Sequence, residues 1–232
     1  MKTPDISCFD CLMKDCTILR NCTSEFLEYV NAKKFCMQYL PDQSIIFEGS
    51  SIDGVLVIYN GIVKIHVRGH RGKPFIVRLA KSGEILGHTA DEYLKQPASV
   101  TAVEPTTVCF IEKSDFEKGL NNCPEIRAEL MSVYKNEIKQ FGYRTIHLVQ
   151  MSVREKIAGA LLHIAVAYKL KEGGSLKQVS LSREDISNMT GTTKEQVSKV
   201  MSEFHNENII KTHRKHLSIL QFAKLKAIAG LQ

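Results

Sequence analysis

Apolar residues between positions 181 and 210 recur at two different helical registers, separated by Thr190-Gly191-Thr192. Ile186 and Met189 mark the inner face of a short first helix, which Ser182 can cap with Asp185 as its reciprocal partner. Thr193 and Gln196 form the equivalent pair for a second helix. There Val197, Val200, Met201 and Phe204 fall at i, i+3, i+4 and i+7 as one buried stripe. The pattern predicts a helix-turn-helix, with Gly191 supplying the unhindered backbone of the turn. Lys194, Glu195, Ser198 and Lys199 occupy the face opposite the stripe, near the amino end, where a recognition helix meets base edges. An ordinary helical hairpin with solvated charges shares this periodicity, but the next segment separates the two readings. Ile209-Ile210 and Leu217-Ser218-Ile219-Leu220 predict two strands around the basic turn Lys211-Thr212-His213-Arg214-Lys215-His216. That hairpin makes a winged helix whose cationic tip suits phosphates. The apolar tail from Phe222 to Leu231 is expected to cover the remaining core.

Upstream the period shortens. From about Gln38 to Ile111 short strands alternate with turns: Ser44–Phe47, Val55–Tyr59, Ile62–Val67, Phe75–Leu79, Gly83–Gly87, Ser99–Val103 and Thr107–Ile111. Asn60-Gly61 is the strongest hairpin signal among them. The series predicts a small antiparallel barrel or sandwich, followed by a Ser-capped helix over Ser114–Asn121. Pro124 then opens a long helix in which Ile126, Leu130, Val133, Ile138, Phe141, Ile146 and Leu148 keep apolar spacing. Such a helix either packs only on its own barrel or pairs with its copy; paired recognition helices on a palindrome require the copy. A further helix spans Ser152–Leu170, and Lys171–Ser175 reads as a flexible joint.

Composition permits this picture without deciding it. The 232 residues carry 31 basic and 25 acidic side chains, a net charge of +6, and 44% are hydrophobic. The chain is expected to fold, and its mild positive bias tolerates a polyanionic partner. No apolar run approaches the roughly 20 residues of a membrane span. The amino terminus shows no secretory pattern. A cytoplasmic protein with reduced thiols, and no membrane partner, is expected.

The order barrel, long helix, winged helix resembles the Crp/Fnr family of bacterial transcription regulators over essentially the whole chain. The matching residues are Asn60-Gly61, the glycine-bracketed Ser82-Gly83-Glu84-Ile85-Leu86-Gly87, and Gly191 to Phe204. The resemblance implies an α+β chain with four parts: a cysteine-rich segment (1–24), an antiparallel β-roll like the cyclic-nucleotide-binding jelly roll (25–122), a dimerisation helix (123–150) and a winged helix-turn-helix domain (151–232). It also implies a homodimer that binds double-stranded DNA at a two-fold operator and contacts RNA polymerase. The DNA-contacting set is then Ser182, Thr192, Thr193, Lys194, Glu195, Ser198 and Lys199, with Lys211, Arg214 and Lys215 in the wing. Lys199 stands where the family usually has Arg.

In cyclic-nucleotide members an acidic residue follows the second glycine and an Arg-Ser pair holds the phosphate. Here the corresponding effector positions are His88 and Ala98-Ser99. A buried phosphate without its guanidinium loses a bidentate contact, which argues against cyclic AMP (cAMP) as effector.

Cysteines crowd the amino terminus as Cys8-x2-Cys11-x4-Cys16-x5-Cys22. Asp15 to Cys22 resembles the cluster motif of the family's oxygen sensors, and Cys109 within Thr107–Ile111 falls where they place a ligand from the barrel. The resemblance implies a [4Fe–4S] cluster on Cys16, Cys22 and Cys109. The family's remaining spacing lands on Met13, so Cys11, with Cys8 as its substitute, is the available fourth thiolate. Zinc, a thiol redox switch based on Cys8 and Cys11, and cysteines without a ligand stay open. Haem on His66, His70 or His88 also stays open. Cys36 and Cys123 fit no pattern and read as small buried hydrophobes. Oxygen-sensing members carry an acidic residue in the dimer helix where this chain has Phe141, which favours association. An enzyme reading, such as a dithiol oxidoreductase on Cys8-x2-Cys11, lacks a strand-helix-strand setting, and no other catalytic motif is present. A non-enzyme is expected.

Overall fold

A computed structural model describes residues 6–9, 16, 19, 22–88, 95–174, 177–214 and 216–230. In chain order these form α1 (Ser24–Lys33), β1 (Phe35–Tyr39), β2 (Ser44–Ile46), β3 (Gly54–Asn60), β4 (Ile62–Arg68), β5 (Pro74–Lys81), β6 (Ile85–Leu86), β7 (Ser99–Ala102) and β8 (Thr106–Glu112). There follow α2 (Lys113–Asn122), α3 (Pro124–Gln150), α4 (Val153–Ala167), β9 (Lys177–Gln178), α5 (Arg183–Thr190), α6 (Lys194–Asn206), β10 (Ile210–His213), β11 (His216–Ile219) and α7 (Phe222–Ile228). Two units divide the chain: Met1–Val67 with Ala80–Lys139, and Arg68–Leu79 with Gln140–Gln232.

The first unit is an antiparallel β-roll. One sheet runs β1-β8-β3-β6, and β2, β7 and β4 lie side by side in another. Between them sits a core of Ile46, Leu56, Ile58, Val63, Val100 and Val108. The outer face of the first sheet is buried too: Val55, Val57, Ile85 and Ile111 pack with Leu27 and Val30 of α1, Phe116 of α2 and Ile126 of α3. This is why Val55 to Ile58 are apolar without alternation; a strand covered on both sides has no polar face. Thr23 caps α1, its hydroxyl accepting from the Phe26 amide at 3.3 Å.

Asn60-Gly61 does not close a hairpin. Asn60 of β3 pairs with Thr107 of β8, whereas Val63 of β4 pairs with Ala102 of β7, so the dipeptide carries the chain from one sheet to the other. A type I′ hairpin needs positive φ at both turn residues, and of the two only Gly61 has it, at 107°. The corner is tight: a Cβ on Gly61 would approach Thr106 Oγ1 to 2.4 Å and Thr106 Cα to 2.8 Å. Other boundaries moved as well. Phe47 lies exposed beyond β2, and only Ile85–Leu86 of the expected Gly83–Gly87 strand is extended pairing, because Gly83 and Gly87 turn at φ 90° and 80°. Ser114 does not cap α2; Glu112 stands at the cap and makes no side-chain bond there.

Pro124 opens α3, where its missing amide costs no hydrogen bond. The helix runs 27 residues, roughly 40 Å at 1.5 Å per residue. Ile126 is its buried residue, while Met131, Ile138, Phe141, Ile146 and Val149 are exposed.

In the second unit α4 begins at a capping box between Ser152 and Glu155. Its apolar face, Ile157, Leu161 and Ile164, is fully buried. Helices α4 to α6, the sheet β10-β11-β9 and α7 form a winged helix-turn-helix. Leu225 and Ala229 of the tail are both buried. The stretch after α4 is not a free joint: the Gly173 amide donates to Ile219 O of β11 at 3.0 Å.

Candidate nucleic-acid interface and thiol array

The helix-turn-helix is built from local hydrogen bonds. Ser182 Oγ accepts from the Asp185 amide at 3.0 Å, and Asp185 Oδ2 accepts from the Ser182 amide at 2.9 Å. Aspartate thus completes a box usually closed by Glu or Gln. Gly191 ends α5 in the left-handed region, φ 64°, with its amide on Ser187 O. The Thr190 hydroxyl donates to Ile186 O at 2.8 Å and lies 2.8 Å from Thr192 Oγ1. Thr192 is therefore buried in the turn, and its side chain faces inward rather than toward a duplex. Thr193 and Gln196 cap α6 reciprocally, at 3.3 and 3.1 Å.

Along α6 the two faces separate cleanly. Val197, Val200, Met201 and Phe204 are buried, whereas Lys194, Glu195, Ser198 and Lys199 are exposed. The amide at Glu195 itself, then Thr193 and the Lys194 charge, hold the Glu195 carboxyl below the usual carboxylate range, so it stays an acceptor. The Ser198 hydroxyl donates to Lys194 O at 2.9 Å. Arg154 of α4 orients the far end of the helix. Its guanidinium lies 4.5 Å from the Phe204 ring centroid and donates to Glu203 at 3.0 Å and Glu207 at 2.7 Å. No local pattern marks Arg154, because its partners lie 49 and 53 residues away. In the wing, His213 pairs with His216, and Lys211 and Arg214 are exposed. Arg214 adopts φ 52° at the tip, and Lys215 falls outside the described residues.

On the first unit, thiols gather on the outer face of the β1-β8-β3-β6 sheet. Register places Cys36 opposite Cys109, with their sulfurs 2.8 Å apart. Cys8 and Cys16 are buried in the cluster that covers this sheet, and Cys22 packs against it. Burial pushes the Cys8 thiol up to about 11, opposed by Lys34 and assisted by Cys16 and Cys36. Burial pushes Cys22 up to about 12, with Cys123 and Cys16 adding to it. Cys36 and Cys123 are buried, as the sequence reading of small hydrophobes expects, and register and packing also bring them into the thiol array. Among the described residues no three ligands stand close enough to hold one metal ion. Cys11 lies outside the described residues. The donor chemistry fits a thiophilic cluster, though the described sulfurs do not form a closed ligand shell.

The candidate effector residues are held by separate elements. Ser99 Oγ accepts from the Glu48 amide at 3.0 Å, and Ala98 is half-buried. The His88 side chain is 3% exposed; its Nε2 lies 3.1 Å from Glu137 Oε2 of α3, and Tyr134 donates to His88 O at 2.6 Å. His66 is bonded to Thr101 Oγ1 at 2.9 Å, and His70 is exposed. No helix among the described residues is long and apolar enough to cross a membrane.

Two family models match the chain: a cyclic nucleotide-binding domain over residues 36–123 and a Crp-like helix-turn-helix domain over 155–228. The chain is 26% identical over 229 residues to the transcriptional activator protein FnrL of Cereibacter sphaeroides, covering 96% of this chain and 92% of that protein. It is 24% identical over 231 residues to the fumarate and nitrate reduction regulatory protein of Vibrio cholerae, covering 97% and 91%. The structure of FixK2 from Bradyrhizobium japonicum superposes with a TM-score of 0.75 at 20% identity, over 84% of this chain and 96% of that one.

A cyclic-nucleotide-binding-like β-roll, a long helix and a winged helix-turn-helix with a solvated polar face define a DNA-binding transcription regulator. The chain belongs to the Crp/Fnr family.

Within that frame, the exposed faces of α6 and the wing make different demands. Glu195→Ala is expected to relax discrimination at one base pair, by about 1–3 kcal/mol, because a carboxylate accepts from a cytosine amino group. Lys211→Ala or Arg214→Ala is expected to weaken all sequences alike and to lower the salt slope by about one unit. Competition mobility shifts on operator and random duplex check both; equal loss on the two duplexes for Glu195→Ala contradicts the first.

Proposed function

We propose that the chain acts as a homodimer on a two-fold operator, contacts RNA polymerase, and senses oxygen or redox state through a thiol-held [4Fe–4S] cluster. The observation that carries the DNA reading is the division of α6: its apolar stripe is buried, and Lys194, Glu195, Ser198 and Lys199 stand in solvent. These four read bases. Ser182, Thr193, Lys211 and Arg214, with Lys215, meet phosphates.

Dimerisation is supported by α3. Met131, Ile138, Phe141, Ile146 and Val149 are 50–77% exposed, and a second copy is the simplest cover for such a stripe. With Phe141 in place of an acid, the metal-free protein is expected to remain a dimer. Sedimentation that finds mostly monomer at micromolar concentration contradicts this.

For the signal, Cys16, Cys22 and Cys109 are the thiols that would hold the cluster, with Cys11 or Cys8 as fourth. When bound, the cluster supplies electron transfer and reactivity toward oxygen. The chain's part is to deliver thiolates: Cys8 and Cys22 are held protonated by burial, so ligation releases protons and weakens as pH falls. Relatives named anaerobic regulatory protein, in Haemophilus influenzae and Pasteurella multocida, support the same reading. Anaerobic purification with iron and sulfide analysis tests it; a broad visible absorption that bleaches in air is expected. The contact between Cys36 and Cys109 favours one second reading, a cofactor-free dithiol switch, which predicts a flat visible spectrum.

A further inference from the structure

The second unit contains a cavity of about 290 Å³ between the carboxy-terminal end of α3, α4 and the last turn of α5. Its lining sets basic side chains among apolar ones: Arg144 and His147 come from α3, Lys156 and His163 from α4, and no lining residue is acidic. Tyr143 and Thr190 also line it, the Thr190 hydroxyl being bonded to Ile186 O. Gly159 supplies no side chain, and a Cβ there would meet His147 Nδ1 at 3.6 Å.

Arg144 is the centre of the arrangement. Its guanidinium donates to Val77 O, to Ile76 O at 2.6 Å and to Met189 O at 2.8 Å. Those bonds leave two of its five N–H donors uncommitted among the described residues. Burial alone pulls it down to about 10, with no carboxylate opposing that shift. Desolvation by the surrounding protein, although part of the side chain is exposed, then the charges of Arg144 and His147, hold His163 below its ordinary range. Glu155 lies near His147 but is engaged in the capping box, accepting from the Ser152 amide at 2.6 Å. Basic groups brought together without a carboxylate repel one another, and a dianion relieves that repulsion.

We propose that this cavity binds a small organic phosphate monoester, held by Arg144, Lys156 and His163, as a second ligand input located within the DNA-binding unit. Its volume lies at the lower limit of small-molecule sites, about 300 Å³, and suits an ester of a few carbons rather than a nucleotide. The free N–H groups of Arg144 receive the phosphate, while its bond to Met189 O ties the bound anion to the end of α5, two residues before Gly191. Occupancy thereby fixes the first helix of the helix-turn-helix.

Isothermal titration of the full-length reduced protein with inorganic phosphate and with glycerol 2-phosphate, at constant ionic strength, tests this. Saturable binding is expected, tighter for the ester, with a Kd on the order of 0.1 mM. Lys156→Gln and His163→Gln are each expected to weaken it roughly tenfold, the loss of one charge-assisted contact. Lys226→Ala, which removes an exposed charge on α7, is expected to change nothing. Thermal melts establish that each variant is folded, and the histidine ring-proton spectrum of the parent protein reports occupancy independently, through an upward titration shift of His163. The proposal is overturned by no saturation below about 10 mM, by equal displacement with chloride, by equal weakening in Lys226→Ala, or by unchanged binding in both cavity variants.

Discussion

Phe204→Ala is expected to cost about 3–5 kcal/mol and, with it, DNA binding at physiological temperature. The side chain is 0% exposed and closes the stripe formed by Val197, Val200 and Met201. Its removal opens a cavity that a helix pinned at both ends cannot fill: the Thr193 box holds one end, and Arg154, bound to Glu203 and Glu207, holds the other. The ring is also the surface on which the Arg154 guanidinium rests, so the ion-pair network loses its support. Domain stabilities are about 5–15 kcal/mol, and a loss of this size is a large fraction of the total. Urea denaturation read by circular dichroism, beside a mobility shift, measures both effects. Ser202→Ala, on the exposed side of the same helix, is expected to stay within about 0.5 kcal/mol. A Phe204→Ala midpoint indistinguishable from that control would show that the stripe is not the anchor of α6.

The second large effect concerns the thiols. Cys109→Ser is expected to reduce the iron content of anaerobically purified protein at least roughly tenfold, because a hydroxyl is a far harder ligand than a thiolate. Cys36→Ser is expected to retain iron and to lose it more slowly in air. Cys36 faces Cys109 across the β1–β8 register with its sulfur 2.8 Å away, so it is the thiol placed to compete for Cys109 once the metal leaves. Both positions are buried, so each serine hydroxyl is expected to cost about 1–3 kcal/mol; thermal melts of the metal-free variants are expected to fall by similar amounts, which separates a difference in iron content from a loss of fold. Iron retained in Cys109→Ser but lost in Cys36→Ser would exchange the two roles.

These two tests probe parts of the molecule that were unequally legible in the sequence. The caps, turn and buried stripe of α6 could be read in advance almost residue by residue. These are interactions between residues three or four apart, and such spacing is the geometry of a helix. Thr192 is the exception: its hydroxyl is drawn inward by Thr190, a partner that periodicity cannot rank against solvent. Arg154 was invisible for the complementary reason, since its partners on α6 and just beyond lie about fifty residues away.

In the β-roll the positions of most strands followed from their apolar runs, but their partners did not. Asn60-Gly61 has the composition of a hairpin, yet β3 pairs with β8 and β4 with β7. Backbone pairing is satisfied equally well by a near or a distant strand, and the choice is made by which apolar faces must be covered.

By itself the chain's residue order determined local conformation: which segments coil, which extend, where α3 to α6 start, and which face of α6 remains polar. Tertiary structure alone decided that Cys36 meets Cys109, 73 positions away, that His88 rests against Glu137, and that Arg144 reaches the end of α5. Those meetings depend on burial and register summed over whole sheets and helices, quantities that no short window of residues contains.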